Sequence, residues 1–221
     1  MSSVDFSNVI QQSRQQQHAL LSPSKAKQWR NYDEESLMKM IASNSAADIG
    51  TVIHAYAAKH IEYGLKLDKG GKKHLIFDLL RAGINSIAVD MLDINFVYNN
   101  VVAYVNDAIG FQMLPEVRLD YSPWCFGTAD AIRFYEKDKL LRIHDLKTGV
   151  TPVHMDQLIT YAALYLLKNR MKAVDISVEL RIYQSGEIIQ HIPSPDEIIE
   201  MMNIIVDNCD FLDKLSGRRN R

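Results

Sequence analysis

Residues 127–149, GTADAIRFYEKDKLLRIHDLKTG, decide how this chain reads. Two strand-like runs, 127–136 and 140–147, flank Lys137, Asp138 and Lys139, so the pattern predicts a hairpin, closed by Thr148 and Gly149. Side chains alternate along a strand, which sends Asp145 and Lys147 one way and Leu146 the other. Asp130 lies on the facing arm. The hairpin can therefore gather two carboxylates and one ammonium at one spot. Neighbouring carboxylates repel, and one keeps its proton unless a cation joins them. Mg²⁺ suits such a place, because it takes few carboxylates, keeps waters and accepts phosphate oxygens. A lysine beside it can help to activate water or neutralise developing charge. The plainer alternative is a surface ion pair, since Asp-x-Lys arises often by chance. Ile143 and Leu146 argue instead for a buried strand, whose charged end has to meet a cleft or a partner.

Working outward, residues 113–121 alternate as a strand and carry Glu116, which either joins the carboxylates or pairs with Arg118. Downstream, 155–168 places Leu158, Tyr161, Ala162 and Tyr165 at helical spacing. Gln157 and Tyr161, four apart, share a helix face. Gln157 could bond a scissile phosphate or orient the lysine, and Tyr161 could stack on or bond to the strand; amphipathic packing is the alternative for both. Runs 174–184 and 187–192 read as a second hairpin turning at Ser185 and Gly186, and Pro195 opens a last helix to about 215. Ahead of the strands, 47–63, 72–82 and 86–108 read as helices, a short helix follows Asp33, and Ser22-Pro23-Ser24 looks like a helix start. Gly50 is read as letting a helix start approach another backbone. Four residues on, His54 can reach a metal as neutral imidazole or serve as a plain surface or core residue. The order after residue 110 is β-β-β-α-β-β-α. This is an α/β (α+β) fold with a central mixed sheet flanked by helices and an N-terminal helical part. The expected organisation is a flexible polar tail over 1–21, a single domain over 22–216 and a basic tail over 217–221. Within the domain, 22–110 is helical and 111–216 is the sheet core with the last helix.

Of the 221 residues, 25 are Lys or Arg and 27 are Asp or Glu, for a net charge of −2. That balance excludes a histone-like nucleic-acid coat but not a DNA enzyme, because charge segregates along this chain. Arg14, Lys25, Lys27 and Arg30 stand against Asp5 near the start, and Arg218, Arg219 and Arg221 close the sequence, which leaves an acidic centre. Basic ends can add sequence-independent attraction to DNA, or simply be solvated. No run approaches the roughly 18–20 apolar residues of a membrane span, and no apolar h-region opens the chain, so neither membrane nor secretion is expected. Cys125 and Cys209 are too few for a disulfide framework or a four-thiolate metal site, and a reducing, cytoplasmic setting is expected. The P-loop, the dinucleotide loop and the nucleophile elbow are absent.

In chain order, His54, Glu116, Gly127-Thr-Ala-Asp130, Asp145-Leu-Lys147 and Gln157-x-x-x-Tyr161 resemble the RecB-type branch of the PD-(D/E)XK nuclease superfamily. The likeness to phage and prophage exonucleases extends to Leu21-Ser-Pro-Ser24, Trp29 and Gly50-Thr51. It implies a restriction-endonuclease-like core and Mg²⁺- or Mn²⁺-dependent DNA cleavage leaving a 5′ phosphate and a 3′ hydroxyl. By position it makes Asp130 and Asp145 metal ligands, with the Leu146 carbonyl as a third and His54 completing the shell. Glu116 becomes a further ligand or a second-metal acid, Lys147 the catalytic lysine, and Gln157 and Tyr161 the family's QxxxY pair. Relatives with an iron–sulfur cluster hold it through four cysteines, so no cluster is expected here. Asn31-Tyr-Asp-Glu stands where some phage relatives carry Cys-Pro-Gly-Ser. The expected function is a phage-type DNA exonuclease in recombination, repair or DNA degradation, located in the host-cell cytoplasm if phage-encoded. A structure-specific or single-strand endonuclease is the runner-up, and a non-catalytic DNA-binding protein on this fold is the rival of another class. Expected partners are DNA, a single-strand-annealing or replication/recombination protein, and further copies of the chain.

Overall fold

The computed structural model describes residues 21, 23, 26–149 and 154–216. Ser22, at which the first helix start is expected to open, and the basic tail lie outside the described residues, as does the polar tail as far as residue 20. The helices that come first are α1 (Ala26–Trp29), α2 (Glu34–Glu62), α3 (Lys72–Arg81), α4 (Ser86–Asp90) and α5 (Ile94–Gly110). There follow β1 (Leu114–Ser122), β2 (Cys125–Tyr135), β3 (Leu140–Leu146), α6 (Asp156–Asn169), a 3₁₀ turn (Ala173–Asp175), β4 (Ser177–Gln184), β5 (Glu187–His191) and α7 (Pro195–Leu215). The fold is mixed α+β, with the helical part first, as the sequence pattern implies.

The helical part differs from expectation in two places. The short helix after Asp33 and the helix over 47–63 are one continuous helix, α2. Ser and Asn residues between them dilute the helical pattern, yet Ser45 and Thr51 return their hydroxyls to the carbonyls of Ile41 and Ala47, four residues back. Gly50 is therefore interior to a helix and does not start one. Conversely, the stretch 86–108 is broken into α4 and α5 at Met91–Asp93, where Asp precedes the first residue of α5, a place its short acceptor favours.

The described chain packs as two compact units. One holds the chain as far as Ile53 together with Gly70–Asn95, and in it Leu75, Leu79, Ala88 and Val89 are buried. The other holds His54–Lys69 and the chain from Phe96 onward, including the whole sheet.

That sheet has five strands in the order β1-β2-β3-β4-β5. All neighbours run antiparallel except β3 and β4, which are parallel and joined through α6. The second hairpin turns at Ser185 and Gly186, both with positive φ (55° and 77°), the backbone that a two-residue primed turn requires. Ser194 caps α7 in a reciprocal capping box with Glu197, and Pro195 occupies the first turn. One face of the sheet packs on α6 and α7 through Leu119, Ala129, Leu141, Ile143, Leu158, Ala162, Leu180 and Ile182. On α5, Tyr104 meets Tyr183 of β4 edge-on, with ring centroids 5.4 Å apart. Among the described residues, no helix is long and apolar enough to cross a membrane.

Candidate active site

The β2–β3 ladder ends at Ala131 opposite His144, so Asp130 and Asp145 stand just past the last pair, where the strands part. On the other side of β2, Glu116 falls between the pairs Pro115–Ala131 and Val117–Ala129 and so lies opposite Asp130. Three acidic residues from three adjacent strands thus converge. The parted backbone is used: the Leu146 amide donates to Asp130 Oδ2 at 2.8 Å instead of to a strand carbonyl. Glu116 has φ +50°, a left-handed backbone that residues with side chains seldom adopt and that tends to gather at functional sites.

From α2, His54 brings its Nδ1 to 3.4 Å from Asp130 Oδ2. One donor atom each from His54, Glu116 and Asp130 lies within 4.8 Å of the other two, a group that could hold a metal ion. Asp145 is not one of the three. Its buried carboxylate meets Lys147 Nζ at 3.1 Å (Oδ1) and 3.0 Å (Oδ2). Only the first contact has hydrogen-bond geometry, which leaves Oδ2 buried and unsatisfied among the described residues. The Lys147 ammonium also donates to Gln157 Oε1 at 2.8 Å, and Gln157 Nε2 donates to Tyr161 Oη at 3.2 Å. The sequence-derived residues therefore form two adjoining sets, a His–carboxylate group and an Asp145–Lys147–Gln157–Tyr161 chain. Leu146 joins them by its backbone, with its side chain buried.

The field at this place is strongly negative. Burial, then the Asp130 charge, pushes the Asp145 carboxyl up to about 6 against the pull of Lys147 and His54. Desolvation and Asp130 also raise Glu116. Burial works against a charge on His54, yet the bond and charge of Asp130, backed by Asp145 and Glu116, hold its imidazole above the ordinary value. Carboxylates that raise one another's pKa and that of a neighbouring histidine mark a place short of positive charge, which a divalent cation supplies. Asp145 Oδ2 is buried and meets the Lys147 ammonium at 3.0 Å without a hydrogen bond, so it keeps lone pairs open beside this group. The residues present therefore fit a hard cation with mixed oxygen and nitrogen ligands.

Supporting contacts were missed at the sequence level. Asn100 of α5 is buried and donates to the carbonyls of Lys147 (3.2 Å) and Tyr183 (2.9 Å), which pins the backbone that carries the lysine. Gln184 Nε2 holds the Gly149 carbonyl at 2.8 Å just beyond. An Asn among Val97, Val101 and Tyr104 on the apolar face of α5 was the available signal. Gly127 also acquires a reason. A Cβ there would lie 2.8 Å from Tyr161 Cε1, so the glycine makes room for the ring.

The family model described as a protein of unknown function, DUF2800, matches residues 18–190. The chain belongs to this family. The match spans every candidate residue from His54 to Tyr161, so in this DUF2800 protein the two adjoining sets lie inside the matched region. No curated protein and no solved structure matches the chain.

Proposed function

We propose that this protein is a metal-dependent deoxyribonuclease, a phage-type exonuclease that hydrolyses phosphodiester bonds to leave a 5′ phosphate and a 3′ hydroxyl. One observation carries the reading: a His54–Glu116–Asp130 donor group lies beside a lysine held between a carboxylate and an amide. His54, Glu116 and Asp130 would hold Mg²⁺ or Mn²⁺, with Asp145 at their side. A bound ion of this kind supplies Lewis acidity towards a phosphate oxygen and lowers the pKa of water.

The chain's own residues do the rest. Asp145 and Gln157 accept from Lys147, and an ammonium has three donors, so one N–H remains for a phosphate oxygen. Tyr161 holds Gln157, which in turn fixes the lysine head without side-chain searching during the reaction. In the reaction a water oxygen bonds to phosphorus, the P–O3′ bond breaks, and the leaving 3′ oxygen takes up a proton. Lys147 offsets the negative charge that grows on the phosphate oxygens along the way.

The test is hydrolysis of end-labelled single- and double-stranded DNA with Mg²⁺, beside a circular single strand. Release of mononucleotides from linear DNA while the circle stays intact is expected. A cut circle would make the enzyme an endonuclease. Asp130→Asn and Lys147→Ala should each lower the rate by about a hundredfold or more with the fold retained. Cleavage by either at the wild-type rate would overturn the assignment.

A further inference from the structure

The β1–β2 pair carries a second feature beside the carboxylates. Along β2, Gly127 packs on Tyr161 of α6 and Ala129 lies in the core, so Phe126 and Thr128 face away from α6, and Asp130 follows directly with its carboxylate at His54. Along β1, Val117 and Leu119 pack with that core, so Arg118 between them is turned to the other face, and Glu116, two residues before it, lies opposite Asp130 in the strand register. On this face the Arg118 guanidinium sits over the Phe126 ring, 4.3 Å from its centroid. Phe126 is 52% exposed, so its ring is open to a ligand on this face. Arg118 has no ion-pair partner among the described residues. The acid paired across from Phe126, Asp120, is bonded to Lys168 at 2.9 Å, and Arg118 acts on it only as a weaker, more distant charge. Tyr121 and Trp124 are exposed at the tip of the same hairpin.

The spacing suits a strand of nucleic acid. Arg118 is two strand positions from Glu116, about 7 Å, and Phe126 is four from Asp130, about 13 Å. A strand whose phosphate lay at the carboxylates would therefore meet a cation first and an aromatic face next, one or a few nucleotides along. An exposed ring takes a base whose face is free, and a guanidinium on that ring adds a phosphate contact. In a duplex the base faces are covered by their neighbours, so only the phosphate contact is left. We propose that Phe126 and Arg118 form a clamp for an unpaired nucleotide next to the bond to be cut, so that this site selects single-stranded DNA. The proposal rests on the nuclease reading for the neighbouring site, but strand binding can be measured without cleavage.

The experiment is fluorescence anisotropy of labelled oligo(dT) and of a blunt hairpin duplex on the full chain in EDTA, followed by cleavage of both with Mg²⁺. Phe126→Ala should weaken oligo(dT) binding by about tenfold and leave the duplex within about twofold. Phe126→Trp should restore the affinity, and Arg118→Ala should weaken both DNAs and flatten the salt dependence of binding. In cleavage, Phe126→Ala should raise KM for the single strand with kcat little changed. Wild-type affinity of Phe126→Ala for oligo(dT), or an equal loss on both DNAs, would overturn the clamp. Thermal unfolding of each variant guards against a folding defect, and Phe126→Leu provides a second truncation. If the wild type binds oligo(dT) through Phe126 but cuts nothing, the nuclease reading fails and the clamp stands. If cleavage depends on Asp130 while every Phe126 variant is neutral, the clamp fails and the nuclease reading stands.

Discussion

Gly127 is the residue at which a single methyl group tests the arrangement. Its backbone is unstrained, and the constraint is the Tyr161 ring, whose Cε1 would come within 2.8 Å of a new Cβ. Gly127→Ala should cost about 1–3 kcal/mol in urea unfolding as the ring is displaced. The loss should vanish in the Tyr161→Ala background, because the clash then has no partner. An undiminished cost in the double variant would place the problem in the β2 backbone instead. Tyr161 also holds Gln157, so a displaced ring should loosen Lys147 and lower activity beyond the stability loss.

At the level of elements, the end of β3 is held from both sides. The Lys147 amide donates to the Tyr183 carbonyl at 2.9 Å, which extends the parallel β3–β4 pairing by one residue. Asn100 then reaches from α5 to the carbonyls of Lys147 and Tyr183. Asn100→Leu leaves the Lys147 carbonyl without this donor, at a cost of about 1–3 kcal/mol by chemical denaturation. It should also slow cleavage more than an apolar core variant of equal destabilisation, because it frees the lysine-bearing backbone. Equal slowing in the two variants would reduce Asn100 to a packing residue.

For the molecule as a whole, two buried groups give opposed pH dependences. Burial, followed by the Asp130 charge, lifts Asp145 from an ordinary 3.8 to about 6, so the native state takes up this proton before the unfolded chain does. The stability from that proton is present at low pH and is lost as pH rises through about 6. His144 behaves oppositely: burial, then the charges of Arg181 and Arg142, lowers it from 6.5 to about 3. The unfolded chain takes that proton first, so stability falls as pH drops from about 6.5 towards 3. Asp145→Asn removes the first effect. Its metal-free unfolding midpoint should be a few degrees higher at pH 7, and its stability should rise more steeply with pH between about 4 and 6 than in the wild type. A lower midpoint at pH 7 would mean that the Lys147 pairing outweighs burial. Mg²⁺ should raise the wild-type midpoint, by binding the native state alone, and His54→Ala should abolish that rise. A full rise in His54→Ala would remove the histidine from the ligand set.

Local pattern made much of this legible. Period-2 runs, turn residues and a helix-opening Pro195 mark both hairpins and α7 to within a few residues, since strand alternation and helix starts are properties of neighbours in the chain. Residues His54, Glu116, Asp130, Asp145, Lys147, Gln157 and Tyr161 stood out by type and order. Other features lay beyond it. The two helical stretches run on as α2 through Ser and Asn residues that dilute the local pattern. The parting of β2 from β3 just past Ala131, the buried Asn100 bridge and the Arg118–Phe126 stack join residues far apart in the chain. Charge and shape at those points depend on three-dimensional distance. Which carboxylates meet His54 and which one meets the lysine was therefore settled only when the strands were paired and the helices packed upon them.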